Sequence, residues 1–271
     1  MNNLEAIIYG IIQGLSEFLP ISSSGHLALL PHLMEIQDPG VKFDLMMHLG
    51  TALAIIVYFK DQVKNLLSHI HPKIFLLKEE SEELSFFKNF TVATITSVVF
   101  ILLLLPISKL AREPWIIILN LTFFGGLLWA ADFFNKKRVL SFNPMEQGLN
   151  FKYACLIGAA QALAIFPGVS RSGITITMAL FLGMRRKDAG SFSFLMSLPI
   201  ILAGILKEVP DLVSGGDTTA AGPLIIGIAT SFIIGWLTIH FFMKLIARIP
   251  LGVFAIYRWG IAAIIYLTII L

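Results

Sequence analysis

Two ionisable side chains stand inside stretches that are otherwise apolar: Glu17 in QGLSEFLPISSSGH (13–26) and Arg171 in PGVSRSGIT (167–175). A charge held at membrane depth costs several kcal/mol, so residues of this kind are functional suspects before any other. Around Arg171 the chain collects what a phosphate group needs. The guanidinium offers a planar fork for bidentate oxygen contacts, Ser170, Ser172 and Thr175 bring hydroxyls, and Gly168 and Gly173 free the backbone amides. A half-helix beginning near Ser172 would turn its positive end toward the same anion. A bare Arg171–Glu17 staple between two elements would need none of the three hydroxyls and neither glycine.

The other stretch carries groups that could react. Gln13 and Glu17 are four residues apart and share a helix face, which points a carboxamide and a carboxylate at one place and suits an oxygen-ligated divalent cation. Gln13 could equally be glue between membrane helices, as Ser16 is expected to be. Pro20 ends the half-helix, Ser22, Ser23, Ser24 and Gly25 form a tip, and His26 follows it. His26 is read either as general acid, base or nucleophile, or as the neutral cap of the next half-helix. Asp44 and His48, again four apart, open the following apolar segment. They support the site, or they are a polar helix cap with an interfacial histidine.

Elements that could hold such groups follow from composition. Of 271 residues, 56% are hydrophobic and 14% charged, which describes an integral membrane protein. No basic segment precedes the first apolar run and Glu5, Gln13 and Glu17 interrupt it, so no cleaved signal peptide is expected. Cys155 is alone and excludes an internal disulfide, and a net charge of +3 argues against a nucleic-acid partner.

Crossing roughly 30 Å of hydrocarbon takes about 20 apolar residues, and six spans meet that need, at about 43–59, 90–108, 115–134, 192–207, 223–242 and 253–271. Two further regions, 4–34 and 153–182, are broken near the middle by Gly, Pro and Ser. Each half is too short to span, so both are expected to be re-entrant helix hairpins, with irregular backbone kept off the lipid. The fold class is therefore an all-α integral membrane protein of six transmembrane helices and two hairpins, ten helical segments in a single membrane domain.

The two broken regions align at a constant offset of 148, which places Gly10, Gln13, Leu15, Phe18, Ser22, Ser24 and Gly25 on Gly158, Gln161, Leu163, Phe166, Ser170, Ser172 and Gly173. One residue out of register, Phe43, Met47, Leu49, Leu53 and Ala54 match Phe192, Met196, Leu198, Leu202 and Ala203. The chain reads as two repeats, about 1–134 and about 149–271. With three spans and one hairpin each, they must be inverted, and such folds place their sites where the broken elements meet near the midplane. The offset sets Arg171 opposite Ser23 and Glu17 opposite Ile165, so one tip is acidic and the other cationic.

Lys and Arg in the short loops give the orientation. One side has five in 60–89, four in 135–152, three in 183–191 and two in 243–252, against Lys42, Lys109, Arg112 and Lys207 on the other. The first side is read as cytoplasmic, with both termini outside and the first hairpin entering from outside. The acidic run KEESEE (78–83) is read as a solvated piece of the long cytoplasmic loop.

Together these motifs resemble the undecaprenyl-diphosphate phosphatases, the bacitracin-resistance family, which remove one phosphate from the C55 isoprenoid diphosphate carrier of bacterial cell-wall synthesis. The likeness covers essentially the full length and includes FDLMMHLGT (43–51). It lays the family's (E/Q)xxxE pattern on Gln13 and Glu17, its tip serines on Ser22 and Ser23, its histidine on His26, and its PGxSRSxxT pattern on Pro167, Gly168, Ser170, Arg171, Ser172 and Thr175. The resemblance implies a divalent cation, Mg2+ or Ca2+, although Gln at 13 leaves one carboxylate where two can stand. It also implies a polyprenyl diphosphate substrate, the bacterial inner membrane and a site open to the periplasmic or outer face. A homo-oligomer is compatible with the sequence. The phosphatidic-acid-phosphatase type shares SGH and SR stretches but needs a histidine soon after its arginine, and none occurs between Arg171 and Arg185. The expected activity is phosphoanhydride hydrolysis with His26 as the first choice for nucleophile or acid/base, Ser23 as the alternative nucleophile and water the third; the rival class is a transporter of the same lipid.

Overall fold

The computed structural model describes residues 2–36, 39–70, 81–108, 113–138, 150–213 and 221–270. Every regular element among them is helical: α1 (Asn3–Ser16), α2 (Ser23–Met34), α3 (Val41–Tyr58), α4 (Lys60–Ser68), α5 (Glu82–Ser108), α6 (Pro114–Arg138), α7 (Phe151–Ala162), α8 (Arg171–Phe181), α9 (Arg186–Val213), α10 (Ala221–Leu245) and α11 (Gly252–Ile265). A 3-10 turn (Leu163–Ile165) extends α7, and a π-helical turn (Tyr266–Ile270) follows α11. Lys73, Lys78, Lys109, Arg112 and the first half of the acidic run at 78–83 lie outside the described residues.

Among the described residues, five helices are long and apolar enough to cross a membrane, within α5, α6, α9, α10 and the α11 segment. A sixth span results if Phe43–Tyr58 and Lys60–Ser68, bent by 87° at their junction, count as one. Residues 60–68, assigned from sequence to a loop, form α4 instead. This helix buries Val63 and leaves Lys60, Asp61 and Lys64 exposed. Such one-sided polarity suits a short helix lying across the end of a bundle rather than inside it.

The broken regions form α1 with α2 and α7 with α8. At the start of α1, Asn2 and Glu5 cap each other reciprocally. Its far end stops before Pro20, whose ring cannot continue the hydrogen-bond ladder. Both second halves begin in the same unusual way. Ser22 (φ 76°) caps α2 and Ser170 (φ 70°) caps α8, each accepting from the glycine three residues on, Gly25 or Gly173. Non-glycine residues at positive φ are strained and persist where the surroundings hold them.

Helices α1 and α3 pack on α10, α7 on α5, α6 on α11 and on α8, and α9 on α3 and α8. Close approach explains two of these crossings. A Cβ on Gly14 would lie 2.8 Å from Gly235 N on α10, and one on Gly158 would lie 2.3 Å from Ala93 O on α5. Without a hydrophobic force between helices in lipid, small residues that admit such contact supply the packing. The main core lies below the tips, where Phe18, the neighbour of Glu17, meets Phe194 edge-on at 5.1 Å and Phe194 meets Phe242.

Candidate active site

The carboxylate of Glu17, at the C-terminal end of α1, is the centre of the polar contacts, and the residue is only 6% exposed. Its Oε2 accepts from Gln13 Nε2 at 3.0 Å and from Ser23 Oγ at 2.9 Å, and lies 3.3 Å from His48 Nε2. On the other side, Oε1 lies 3.3 Å from Arg171 Nη1. Helices α1, α2, α3 and α8 thus each bring one or more groups to a single buried carboxylate, as multiple partners must if a charge is to stay inside.

Arg171 is held loosely. Nη1 makes no aligned hydrogen bond among the described residues, and the side chain is 20% exposed. An arginine acting only as a staple would present its fork to the carboxylate in two parallel bonds. Here most of the fork remains available to another anion. The ring of His48 reaches Asp44 O with Nδ1 at 2.7 Å while Nε2 faces Glu17. Two acceptors satisfy such a ring together only when both nitrogens carry protons. Asp44 contributes to this arrangement through its backbone carbonyl.

Serines stitch the tips to each other. Gly168 N donates to Ser24 Oγ at 3.3 Å, and Ser172 Oγ donates to Leu19 O at 3.1 Å, so each tip is held by the other. Ser22 and Ser170 are buried caps; their hydroxyls lie 3.2 and 3.3 Å from Ser24 and Ser172. Thr175, expected to grip phosphate, is fully buried; its Oγ1 donates to Arg171 O at 2.7 Å and meets Ser193 Oγ. It supports the backbone of Arg171 from behind. Ser23, by contrast, is half-buried and aims its proton at Glu17.

His26 faces another way. Nδ1 donates to Ser22 O at 2.8 Å, which leaves Nε2 as the acceptor for the Tyr257 hydroxyl at 2.8 Å. Tyr257 was not found from sequence, and neither were Arg258 and Asn120, which hold the second tip. Asn120 Nδ2 donates to Pro167 O at 2.7 Å, and Arg258 donates to the carbonyls of Gly168 and Val169. For Arg258 a signal existed: it is an ionisable residue within the last apolar span. Tyr257, 231 residues from His26, and Asn120, 47 residues from Pro167, carry no such mark.

For a divalent cation the fit rests on Gln13. Its Oε1 is buried and has no partner among the described residues, beside the Glu17 carboxylate that its own amide nitrogen contacts. The carbonyl of Gln13, the carboxylate of Glu17 and the hydroxyl of Ser23 are all hard oxygen donors of the kind Mg2+ and Ca2+ take. Gln161, at the position matching Gln13, instead donates to Ser97 Oγ on α5 at 3.1 Å. Its Oε1 is likewise without a partner among the described residues, so what sets Gln13 apart is its contact with the Glu17 carboxylate. An apolar cavity of about 400 Å³ adjoins the first tip, lined by Leu15, Leu19, Phe241, Phe242, Ile249 and Phe254 among others.

Fold and site define a multi-pass helical membrane protein whose polar centre lies where two broken helical elements meet. A family model described as "Bacitracin resistance protein BacA" matches residues 6–264. Undecaprenyl-diphosphatase 1 of Pseudoalteromonas translucida (strain TAC 125) is 37% identical over 272 residues, covering 99% of this chain and 100% of that protein. The chain belongs to the bacitracin resistance protein BacA family.

Proposed function

We propose that this chain hydrolyses undecaprenyl diphosphate to undecaprenyl phosphate and phosphate, and so confers bacitracin resistance. The name of the 37% identical relative, an undecaprenyl-diphosphatase, supports the substrate. The observation that carries the chemistry is the half-free Arg171 fork beside a carboxylate that accepts the Ser23 proton at 2.9 Å.

Arg171 binds the phosphates, aided by the N-terminal end of α8. Ser23 Oγ attacks the terminal phosphorus and gives its proton to Glu17; the bond from that phosphorus to the bridging oxygen breaks, and the monophosphate lipid leaves. Water then hydrolyses the phosphoserine. Arg171 neutralises charge on the leaving phosphate, and positioning plus charge stabilisation is the larger part of phosphoryl-transfer catalysis. Glu17 and Gln13 would hold a divalent cation, Mg2+ or Ca2+, which supplies further charge neutralisation when bound. His26 serves as acid or base from the neighbouring face, and His48 keeps Glu17 oriented.

The same reading makes 1–271 one membrane domain of two inverted repeats, about 1–134 and about 149–271. Support comes from the reciprocal stitching of the tips, their matching positive-φ serine caps, and the packing of α1 on α10 and α7 on α5. The loop charges support both termini outside and a site open to the periplasmic or outer face of the bacterial inner membrane.

Purified protein in detergent, given undecaprenyl diphosphate, separates hydrolysis from transport, because detergent removes sidedness and leaves chemistry intact. Stoichiometric release of phosphate, lost with EDTA and restored by Mg2+ or Ca2+, is the expected result. A folded protein that moves the lipid across vesicles and releases no phosphate would establish the transporter instead.

A further inference from the structure

Arg258 is a charged residue that the proposed chemistry does not use, and it is fully buried. No carboxylate lies within ion-pair reach of it among the described residues. Its guanidinium instead gathers four carbonyls: Nε donates to Leu121 O at 3.1 Å, and Nη2 to Asn120 O at 3.2 Å, Gly168 O at 2.8 Å and Val169 O at 3.1 Å. Two of these belong to α6 and two to the turn that leads into Arg171. A buried cation without a counter-charge is costly, and an apolar residue of similar volume would fill the space more cheaply. Of the five donors in its rigid plane, those on Nε and Nη2 take the four carbonyls, while Nη1, buried against Gly173, has no partner among the described residues.

The turn it holds has positive-φ backbone on both sides of the contact, free for Gly168 and strained at Ser170. Gly168 has φ 89° and is pressed so close to α6 that a Cβ there would lie 2.7 Å from Ile117 O, while Ser170 has φ 70°. Gly173, in the first turn of α8, admits the guanidinium, since a Cβ there would lie 3.0 Å from Nη1. Across a trans peptide the C=O and the following N–H point to opposite edges. Drawing Val169 O toward α11 therefore turns Ser170 N–H away from it. We infer that Arg258 is a positioning residue for hydrolysis: by gathering the carbonyls of Gly168 and Val169 it sets the conformation of the phosphate-binding turn and, through it, the placement of Arg171.

This inference rests on the hydrolase reading and makes a demand that simple destabilisation does not. A residue that acts through Arg171 loses its effect once Arg171 is altered, so the two substitutions must couple. Phosphate release in detergent is measured for wild type, Arg258→Lys, Arg171→Lys and the double variant, with melting temperatures alongside. Lysine keeps the charge but cannot reach four carbonyls in one plane. The expected result is a tenfold or greater fall in kcat for Arg258→Lys, with the double variant within about threefold of Arg171→Lys alone. An unchanged rate for Arg258→Lys, or losses that multiply in the double variant, would overturn the assignment. If Arg258→Lys does not fold, Asn120→Ala removes the bond to Pro167 O from the same turn and must show the same coupling to Arg171; multiplying losses there overturn the assignment equally. A wild type that releases no phosphate refutes the hydrolase reading, which is a separate outcome.

Discussion

Glu17 has four polar partners within 3.3 Å, and two of them, Ser23 and Arg171, occupy matching positions of the two broken regions. One has become a hydroxyl that can react and the other a cation that can receive charge. Replacing Arg171 with Lys keeps the cation and loses the fork, so phosphate release should fall by about 100-fold or more, on the order of 3 kcal/mol in the transition state. The variant should remain monodisperse in detergent; near-normal activity would reduce Arg171 to a point charge. Ser23→Ala should remove turnover, and a rapidly quenched reaction of the wild type should contain phosphoserine at 23. Finding the phosphate on His26 instead would transfer the nucleophile's role. Glu17→Gln should be inactive at any Mg2+ or Ca2+ concentration. Gln13→Glu adds a second carboxylate to the same donors, so it should stay active and need less metal, read from activity against free cation.

At the scale of elements, the tips are only as well placed as the half-helices behind them, and those depend on glycines at helix crossings. Gly158→Leu would drive a side chain into Ala93 O on α5, 2.3 Å from the first added atom. Overpacking costs about 1–3 kcal/mol or more, so the melting temperature in detergent should fall by roughly 5–10 °C. An unchanged melting temperature would mean that α7 and α5 do not cross where described. Much of this was legible in the sequence. Polar residues in apolar runs marked both broken regions, and Pro20, Gly168 and the serines marked where they turn. The amphipathic α4 was missed because Lys60, Asp61 and Lys64 read as loop until Val63 is seen packed beneath them. Nor could the sequence tell which serines face the site. Ser22 and Ser170 bend at positive φ and cap their own half-helices, Ser24 and Ser172 join the tips, and Ser23 reaches Glu17. The hold of Arg258 on the second tip depends on tertiary contact alone.

For the whole molecule, sidedness decides how lipid and water reach the tips. In the proposed orientation the first tip, with Ser23 and His26, faces the outer side, while the apolar cavity reaches from Leu19 to Ile249, next in sequence to Arg248. Tail and water would then approach the tips from different directions. A Ser23→Cys variant, with Cys155 replaced by Ala, should react in intact cells with a membrane-impermeant maleimide applied outside. Labelling only after permeabilisation would put the opening on the basic side. The account's central claim is that the two tips form one hydrolytic centre, and phosphate release from undecaprenyl diphosphate by purified wild type, Glu17→Gln and Arg171→Lys, compared under identical conditions in detergent, tests it most directly. The account predicts steady release by the wild type and losses of about 100-fold or more in both variants, although the residues come from different tips. Full activity in either folded variant would contradict it.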